Sequence, residues 1–261
     1  SISDKAPEEY RGMSREDARK QIVSDLKDIN HLIKEEDYLH KVGYSERGNV
    51  PIEYYLSEQW FLKMEDLAKP AISAVRNKEI NFYPNHWVKT YNHWMDNIQD
   101  WCISRQLYWG HQIPVWYKKD ADRSNQDNWF VSTTPPTDLE NWEQDNDVLD
   151  TWFSSWLWPF AVHGWPDIKT TKYFPTNALV TGPDIIFFWV ARMIMSGYEF
   201  MGSLPFKDVY FTSILRDDKG RKLSKSLGNS PDPITLFEKY GTDATRFSIM
   251  LMSPQGSDVY F

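Results

Sequence analysis

The chain has 261 residues, 29 of them basic and 37 acidic, and a formal net charge of −8 at pH 7. This acidic balance argues against a protein that coats nucleic acid through bulk positive charge, although it leaves room for a local basic site. The single cysteine, Cys102, excludes an internal disulfide bond and a zinc site built from several cysteines. The single cysteine also indicates a reducing, cytoplasmic setting. No run of about 18 apolar residues could span a membrane, so no membrane partner is expected.

The first part of the chain is predicted to be helical. Ser14 can cap a helix whose apolar residues recur at helical spacing up to Ile29. A second helix is expected to open at Ser57, and Pro70 should kink or interrupt it. A third stripe of aromatic and apolar residues runs from Trp87 to Trp101 at spacings of four and three, which indicates a helix packed into the core.

The second part shows a different pattern. The polar segment 118–136 is predicted to be a surface loop. After it, short apolar strands alternate with helices. Strands are predicted at Asp147–Phe153, Asn177–Thr181 and Val209–Thr212, and helices from Asp184 to about Phe200, from Asp232 to about Gly241 and from Thr242 to Met252. This order indicates an α/β fold with a doubly wound parallel sheet, in which ligands bind beyond the carboxyl ends of the strands.

The most distinctive local signal is the segment from Arg216 to Asn229. Its first ten positions hold five basic residues of an otherwise acidic chain, close to two glycines. Lysine ammonium groups on a loop that contains glycine suit a polyphosphate. A solvated hairpin would have the same composition, so charge and glycine content alone leave phosphate binding open. No Walker-type loop and no Gly-x-Gly-x-x-Gly sequence is present.

The second signal is Thr181-Gly182-Pro183-Asp184, at a predicted junction of strand and helix. Backbone N–H groups at a helix N-terminus favour anions, and a carboxylate there can accept hydrogen bonds from ribose hydroxyls. Asp184 could instead be an ordinary helix cap, which is the simpler interpretation of this short sequence alone.

Both signals lie in segments that resemble one enzyme family. Lys222-Leu223-Ser224-Lys225-Ser226 is similar to the KMSKS signature of class I aminoacyl-tRNA synthetases, with Leu in place of Met. The surroundings resemble the valyl group within the isoleucyl, leucyl and valyl subgroup, over nearly the whole chain. The segments that carry this resemblance are 101–106, 110–117, 150–155, 181–192 and 227–233.

The resemblance implies a domain organisation. Residues 1–45 would be the C-terminal remnant of the family's editing insertion, and 46–100 a helical connection back to the catalytic domain. Residues 101–230 would form the second half of a Rossmann-like catalytic domain, with the KMSKS-like loop at 222–226. Residues 231–261 would be a helical segment that leads toward an anticodon-binding domain.

The resemblance also implies the ligands, which are ATP with Mg²⁺, valine and the acceptor end of tRNA(Val), and no zinc. Lys222 and Lys225 would be the catalytic cations, and Asp150, Trp152 and Trp189 would line the valine pocket, although Trp189 could equally be an ordinary buried aromatic. The residues expected to bind ATP are Thr181, Gly182, Asp184, Ser224 and Ser226.

Several family features are missing from the sequence. It contains no His-Ile-Gly-His signature, and residues 116–119 include no cysteine where some members carry a zinc-binding loop. The editing pocket and the anticodon-binding helices lie outside the matched region. We therefore expect an internal segment of a longer ligase, with little activity alone. Two alternatives stay open: a module that binds nucleotide or the tRNA acceptor end without catalysis, and a structural fragment with an unformed pocket.

Overall fold

A computed structural model describes residues 2–45, 48–54, 56–167, 172–225, 227–252 and 258–260. The chain divides into two units, Ser1–Ser57 and Glu58–Phe261. The helices are α1 (Arg15–Asp28), α2 (Glu65–Arg76), α3 (Trp87–Asp96), α4 (Thr151–Ser155), α5 (Trp158–Ala161), α6 (Ala191–Met201), α7 (Pro233–Tyr240) and α8 (Thr242–Met252). The strands are β1 (Phe61–Leu62), β2 (Asn81–Tyr83), β3 (Trp101–Cys102), β4 (Ser104–Arg105), β5 (Val115–Lys118), β6 (Trp129–Val131), β7 (Trp142–Gln144), β8 (Val148–Leu149), β9 (Thr176–Thr181), β10 (Phe206–Phe211), β11 (Leu215–Arg216) and β12 (Val259–Tyr260).

The first unit is built on α1. As predicted, Ser14 caps this helix, and its Oγ accepts a hydrogen bond of 3.0 Å from the backbone N–H of Asp17. The predicted apolar face is only partly covered, because Ala18 is buried while Ile22 and Ile29 stay exposed. The assignment of residues 1–45 to an editing insertion stays a prediction.

A parallel sheet organises the second unit. Its strands lie in the order β2–β10–β9, and both pairings are parallel. The register places Phe211 opposite Thr181, so the last residues of β10 and β9 lie side by side. Val209 and Phe211 are completely buried beneath the helices of the core. The predicted strands at 177–181 and 209–212 are therefore confirmed, together with their parallel direction.

The predicted strand Asp147–Phe153 is wrong for most of its length. Only Val148–Leu149 is extended, and it pairs antiparallel with β4 rather than with the parallel sheet. The strand stops because Asp150 caps α4, accepting a hydrogen bond of 3.2 Å from the backbone N–H of Trp152 on Oδ1. A short apolar run is compatible with either structure, and the capping carboxylate decides between them.

Two predicted helices have different bounds. The helix expected from Ser57 begins only at Glu65, because Phe61–Leu62 pairs with Trp101–Cys102. It also continues through Pro70, since its buried face packs into the core and offsets the lost hydrogen bond. The stripe expected to reach Trp101 ends as α3 at Asp96 for the same reason: Trp101 belongs to a strand.

The segment predicted to be a loop at 118–136 contains β6, the edge of the antiparallel sheet β6–β5–β7. The sheet is organised by a buried carboxylate. Asp145 Oδ2 accepts hydrogen bonds from Trp60 Nε1 at 2.8 Å and from the Tyr117 hydroxyl at 2.7 Å. Burial, together with this hydrogen bond, raises the pKa of Tyr117 far above its ordinary value. In the part of the chain that is described, no group of His, Cys, Asp and Glu side chains could hold a metal ion.

The helix predicted from Asp184 to Phe200 is present but not uniform. It begins as a 3₁₀ turn at Pro183–Ile185, continues as a π-helix over Ile186–Val190, and becomes α-helical in α6. The centre of α6 is fully buried, at Met193, Ile194 and Met195. The predicted α7 and α8 are confirmed, and Asp232 caps α7 through the N–H of Ile234 at 3.0 Å. Among the described residues, no helix has the length and apolarity needed to cross a membrane.

Candidate functional site

The carboxyl end of β9 brings backbone close to a carboxylate. Thr181 ends the strand, and Gly182 follows it with an ordinary φ of −75°. A Cβ atom on Gly182 would lie 2.5 Å from Asp184 Oδ1 and 3.3 Å from Ile214 Cδ1. A side chain at this position would therefore displace the carboxylate of Asp184, although the backbone conformation itself would accept one.

Asp184 is not the helix cap that the short sequence favoured. No side-chain capping bond is formed at this turn. Its Oδ2 instead accepts a hydrogen bond from the Nζ atom of Lys222, 38 residues further along the chain. The side chains of Asp184 and Lys222 are 39% and 57% exposed, so solvent and ligands can reach both. The contact joins the basic segment 216–229 to the segment 181–184, the two candidate binding segments that the sequence showed separately.

Lys222 lies on a short hairpin. The backbone N–H of Asp217 donates to the carbonyl of Arg221 at 2.9 Å, and the N–H of Leu223 donates to the carbonyl of Leu215 at 3.0 Å. Gly220 makes the turn at a φ of +75°, where glycine avoids the strain of other residues. The hairpin interpretation of this segment is thus correct for its backbone, and the chemistry depends on which charges it leaves available.

Carboxylates pair with three of the five basic residues at 216–225. Arg216 pairs with Asp258, Arg221 with Asp217 at 2.8 Å, and Lys222 with Asp184. The two remaining cations, Lys219 and Lys225, are exposed and make no ion pair with any residue in the described ranges. The backbone N–H of Ser224 donates to Asn229 Oδ1 at 2.9 Å. Ser226, which was also expected to bind ATP, lies outside the described residues.

A second polar cluster surrounds Asp150, whose side chain is only 8% exposed. Its Oδ2 accepts hydrogen bonds from Trp101 Nε1 at 3.0 Å and from Arg105 Nη2 at 2.7 Å. Arg192 Nη1 lies 3.9 Å from the same oxygen. Since protein groups already engage this carboxylate, the part that the family resemblance gives it in the valine pocket stays a prediction.

Arg192 is a buried cation that the motif analysis missed. Its guanidinium carbon lies 3.5 Å from the centroid of the Trp101 ring, which is a cation–π contact. Its Nε and Nη1 atoms are buried and have no hydrogen-bond partner among the described residues. Burial lowers the pKa of Arg192 to about 10, although the charge of Asp150 opposes that shift. The available signal was an arginine in the middle of an otherwise apolar helical stretch.

The two tryptophans expected in the valine pocket lie where α4 meets the π-helix. Trp152 stacks on Phe188 with ring centroids 5.8 Å apart, and Trp189 Nε1 donates to the carbonyl of Ser155 at 2.9 Å. Both tryptophans are half-buried, and Phe188 is exposed. One continuous segment, 181–192, thus supplies the glycine turn, Asp184, two of these aromatic residues (Phe188 and Trp189) and Arg192, while α4 supplies Trp152.

The chain is similar to curated proteins of one kind, valine–tRNA ligases. A valine–tRNA ligase of Chlorobaculum tepidum is 57% identical over 261 residues, covering 97% of the chain and 28% of that protein. A valine–tRNA ligase of Bacillus subtilis is 52% identical over 257 residues, covering 97% of the chain and 29% of that protein. The chain therefore spans less than a third of the length of these curated relatives.

Solved structures share the fold at low sequence identity. A methionyl-tRNA synthetase of Mycobacterium tuberculosis in complex with methionyl-adenylate is 20% identical, with a TM-score of 0.61 over 84% of the chain and 38% of that protein. A LeuRS of Agrobacterium radiobacter, in a ternary complex with tRNA and LeuAMS, has a TM-score of 0.51 at 20% identity over 63% of the chain and 25% of that protein. The family model described as tRNA synthetases class I (I, L, M and V) matches residues 9–261, and the chain belongs to that family.

Proposed function

We propose that the chain is part of a cytoplasmic valine–tRNA ligase, and that it supplies the second half of the catalytic domain. The identity of more than half of its residues to valine–tRNA ligases supports the choice of amino acid. In this proposal residues 101–230 belong to the catalytic domain, 1–45 to the editing insertion, and 231–261 lead toward the anticodon-binding domain.

The proposed reaction has two steps. A carboxylate oxygen of valine attacks the α-phosphorus of ATP, the bond from that phosphorus to the bridging oxygen breaks, and pyrophosphate leaves. A ribose hydroxyl at the 3′ end of tRNA(Val) then attacks the carbonyl carbon of valyl-adenylate, and AMP leaves. Negative charge grows on the departing pyrophosphate in the first step, so positioned cations lower that barrier.

The contact between Lys222 and Asp184 is the observation that carries this proposal. It brings a basic hairpin to the carboxyl end of a parallel strand, which is where nucleotides bind in such sheets. Gly182 allows the backbone to approach the adenosine, and Asp184 can accept hydrogen bonds from its ribose hydroxyls. Lys225, which makes no ion pair with a described residue, can meet the phosphates, and Lys222 becomes available when the ribose replaces it on Asp184.

Mg²⁺ enters this proposal as part of the ATP substrate. Mg²⁺ is commonly held by phosphate oxygens and few protein ligands, and no cluster of metal-ligating side chains was found in the described part of the chain. Thr181 directly precedes Gly182, and Ser224 directly precedes Lys225. We propose that both residues also contact the nucleotide. Ser226 completes this assignment by resemblance alone.

The valine pocket is proposed to lie against the aromatic residues of α4 and the π-helix. Trp152 and Trp189 would form its walls, and Asp150 would orient the substrate through the groups that it holds. An apolar wall of this kind discriminates one methylene by only about 1–3 kcal/mol. Such a wall also cannot strongly reject threonine, in which a hydroxyl replaces one methyl group of valine, so selectivity against threonine would need an editing site elsewhere in the enzyme.

Valine-dependent exchange of pyrophosphate into ATP tests the proposal in the full-length protein that carries this chain. We expect exchange with valine that exceeds exchange with methionine or leucine by more than about a hundredfold. The 261-residue chain alone should not sustain exchange, because catalytic groups act as a unit and one family signature is absent. A full-length protein without valine-dependent exchange, or one that prefers another amino acid, would contradict the proposal.

A further inference from the structure

Asp217 is a buried carboxylate at the base of the basic hairpin, and the proposed chemistry does not use it. It is only 7% exposed. Oδ1 accepts hydrogen bonds from the backbone N–H groups of Lys219 at 3.1 Å and Arg221 at 2.8 Å. Oδ2 accepts from Arg221 Nε at 2.8 Å and from Asn229 Nδ2 at 2.9 Å. Four donors around one carboxylate make it the organising group of this segment.

Asn229 connects that carboxylate to the residues around the lysines. Its Nδ2 donates to Asp217 and also lies 3.3 Å from the carbonyl oxygen of Lys222. Its Oδ1 accepts the backbone N–H of Ser224 at 2.9 Å. One amide side chain therefore holds the backbone at residues 222 and 224, on either side of Leu223 and directly before Lys225.

We propose that Asp217 and Asn229 are positioning residues for the reaction: they hold the backbone of 222–225 so that Lys222 and Lys225 meet the polyphosphate together. The inference rests on the proposed function, which assigns pyrophosphate to these lysines. A lysine on an unrestrained loop loses conformational entropy each time it binds, whereas a prearranged pair has already lost it on folding. Hydrogen bonds from Asn229 and Arg221 hold the pKa of Asp217 far below its ordinary range, which keeps the anchor charged.

A role for Asp217 and Asn229 in stabilising the fold alone explains this arrangement less well than a role in positioning the lysines. Both lysines are exposed, and the apolar residues of the hairpin, Leu215 and Leu223, lie outside the apolar clusters that form the core. Loss of the Asp217–Asn229 pair should therefore release the backbone of 222–225 while the parallel sheet stays folded. Asp218 offers a matched control, since it is an exposed carboxylate in the same turn that pairs with no described residue.

The test uses Asp217→Asn, Asn229→Ala and Asp218→Asn in the full-length protein that carries this chain. In pyrophosphate exchange we expect the first two to lower kcat by about ten- to a hundredfold, with KM for valine unchanged. Asp218→Asn should stay within about twofold of the parent. Hydrogen exchange on the same proteins should show faster exchange at the amides of Arg221 and Ser224 in the first two variants only, with unchanged protection in β9 and β10.

Asn229→Asp keeps the oxygen that accepts from Ser224 but replaces the amide that donates to Asp217 with a second carboxylate, so it should lower kcat at least as much as Asn229→Ala. If only the volume of the side chain mattered, this isosteric variant would restore kcat. Faster amide exchange at 221 and 224 with unchanged kcat would overturn the proposal, as would a kcat loss of equal size in Asp218→Asn. Lys225→Ala separates the two levels of inference. If Lys225→Ala leaves pyrophosphate exchange unchanged, the proposed function of the loop fails. If Lys225→Ala lowers kcat but Asp217→Asn and Asn229→Ala do not, only the positioning proposal fails.

Discussion

The Nζ atom of Lys222 donates a hydrogen bond to the carboxylate of Asp184. In the proposed enzyme Lys222 binds the phosphates of ATP and Asp184 binds its ribose. Without ATP, each side chain therefore occupies the position that the nucleotide would take on the other. Both side chains are well exposed, and an exposed ion pair contributes only about 0–1 kcal/mol. ATP can therefore replace this contact at small energetic cost.

The first prediction concerns Lys225, which is exposed and unpaired within the described residues. Lys225→Ala should lower kcat for adenylate formation by more than about tenfold, or ~1.4 kcal/mol, because the cation acts when charge develops on pyrophosphate. KM for valine should change little. Steady-state pyrophosphate exchange measures both constants in the full-length protein. Lys219→Ala, which removes the other unpaired cation of the hairpin, is the control, and a Lys225→Ala rate within about threefold of the parent would count against the assignment.

The second prediction concerns the space beside Gly182. In Gly182→Ala the new Cβ would stand 2.5 Å from Asp184 Oδ1 and force the carboxylate to move. The backbone φ of −75° suits alanine, so stability should be nearly unchanged while KM for ATP rises by about tenfold. Gly43→Ala is the control, since its Cβ would make an ordinary contact of 3.5 Å with Ile52. Equal KM values for ATP in the two variants would show that the close approach has no function.

The third prediction concerns the buried pair of Asp150 and Arg192. Asp150→Asn retains a helix cap but leaves Arg192 buried without its counter-charge, so the free energy of unfolding should fall by about 3 kcal/mol. The double variant Asp150→Asn/Arg192→Met should recover most of that loss, because the buried cation is gone. Urea unfolding followed by tryptophan fluorescence reports on the second unit, since every tryptophan lies between Trp60 and Trp189. Additive losses in the double variant would show that the two charges are not coupled.

The fourth prediction is a pH dependence. The folded pKa of Asp217 is depressed relative to the usual value of about 3.9, so its contribution to hairpin stability is complete above that value. The contribution is lost only as pH falls through the folded pKa. The amide resonances of Arg221 and Ser224 should therefore stay unchanged from pH 8 to pH 4. A titration of these amides with a midpoint at or above pH 4 would contradict the geometry around Asp217.

Patterns that depend on near neighbours in the chain could be predicted from the sequence. Ser14 was identified as a cap because a cap needs only a side-chain oxygen two or three residues before a free N–H group. The parallel strands predicted at 177–181 and 209–212 followed from apolar runs between turn residues. The family followed from motifs such as 222–226, whose residue order needs no structure to be recognised.

Contacts between distant segments needed the tertiary structure. A sequence alone cannot show that Asp184 pairs with Lys222, that Asp217 and Asn229 hold one backbone segment, or that Arg192 is buried against Trp101. The same limit explains why Trp101 was expected in a helix, since its strand exists only through pairing with Phe61–Leu62. Local sequence determined the caps, the apolar runs and the motifs through short-range hydrogen bonding and periodicity. Which charges are paired and which stay available was decided by the fold, because burial and distance arise only when separate segments meet.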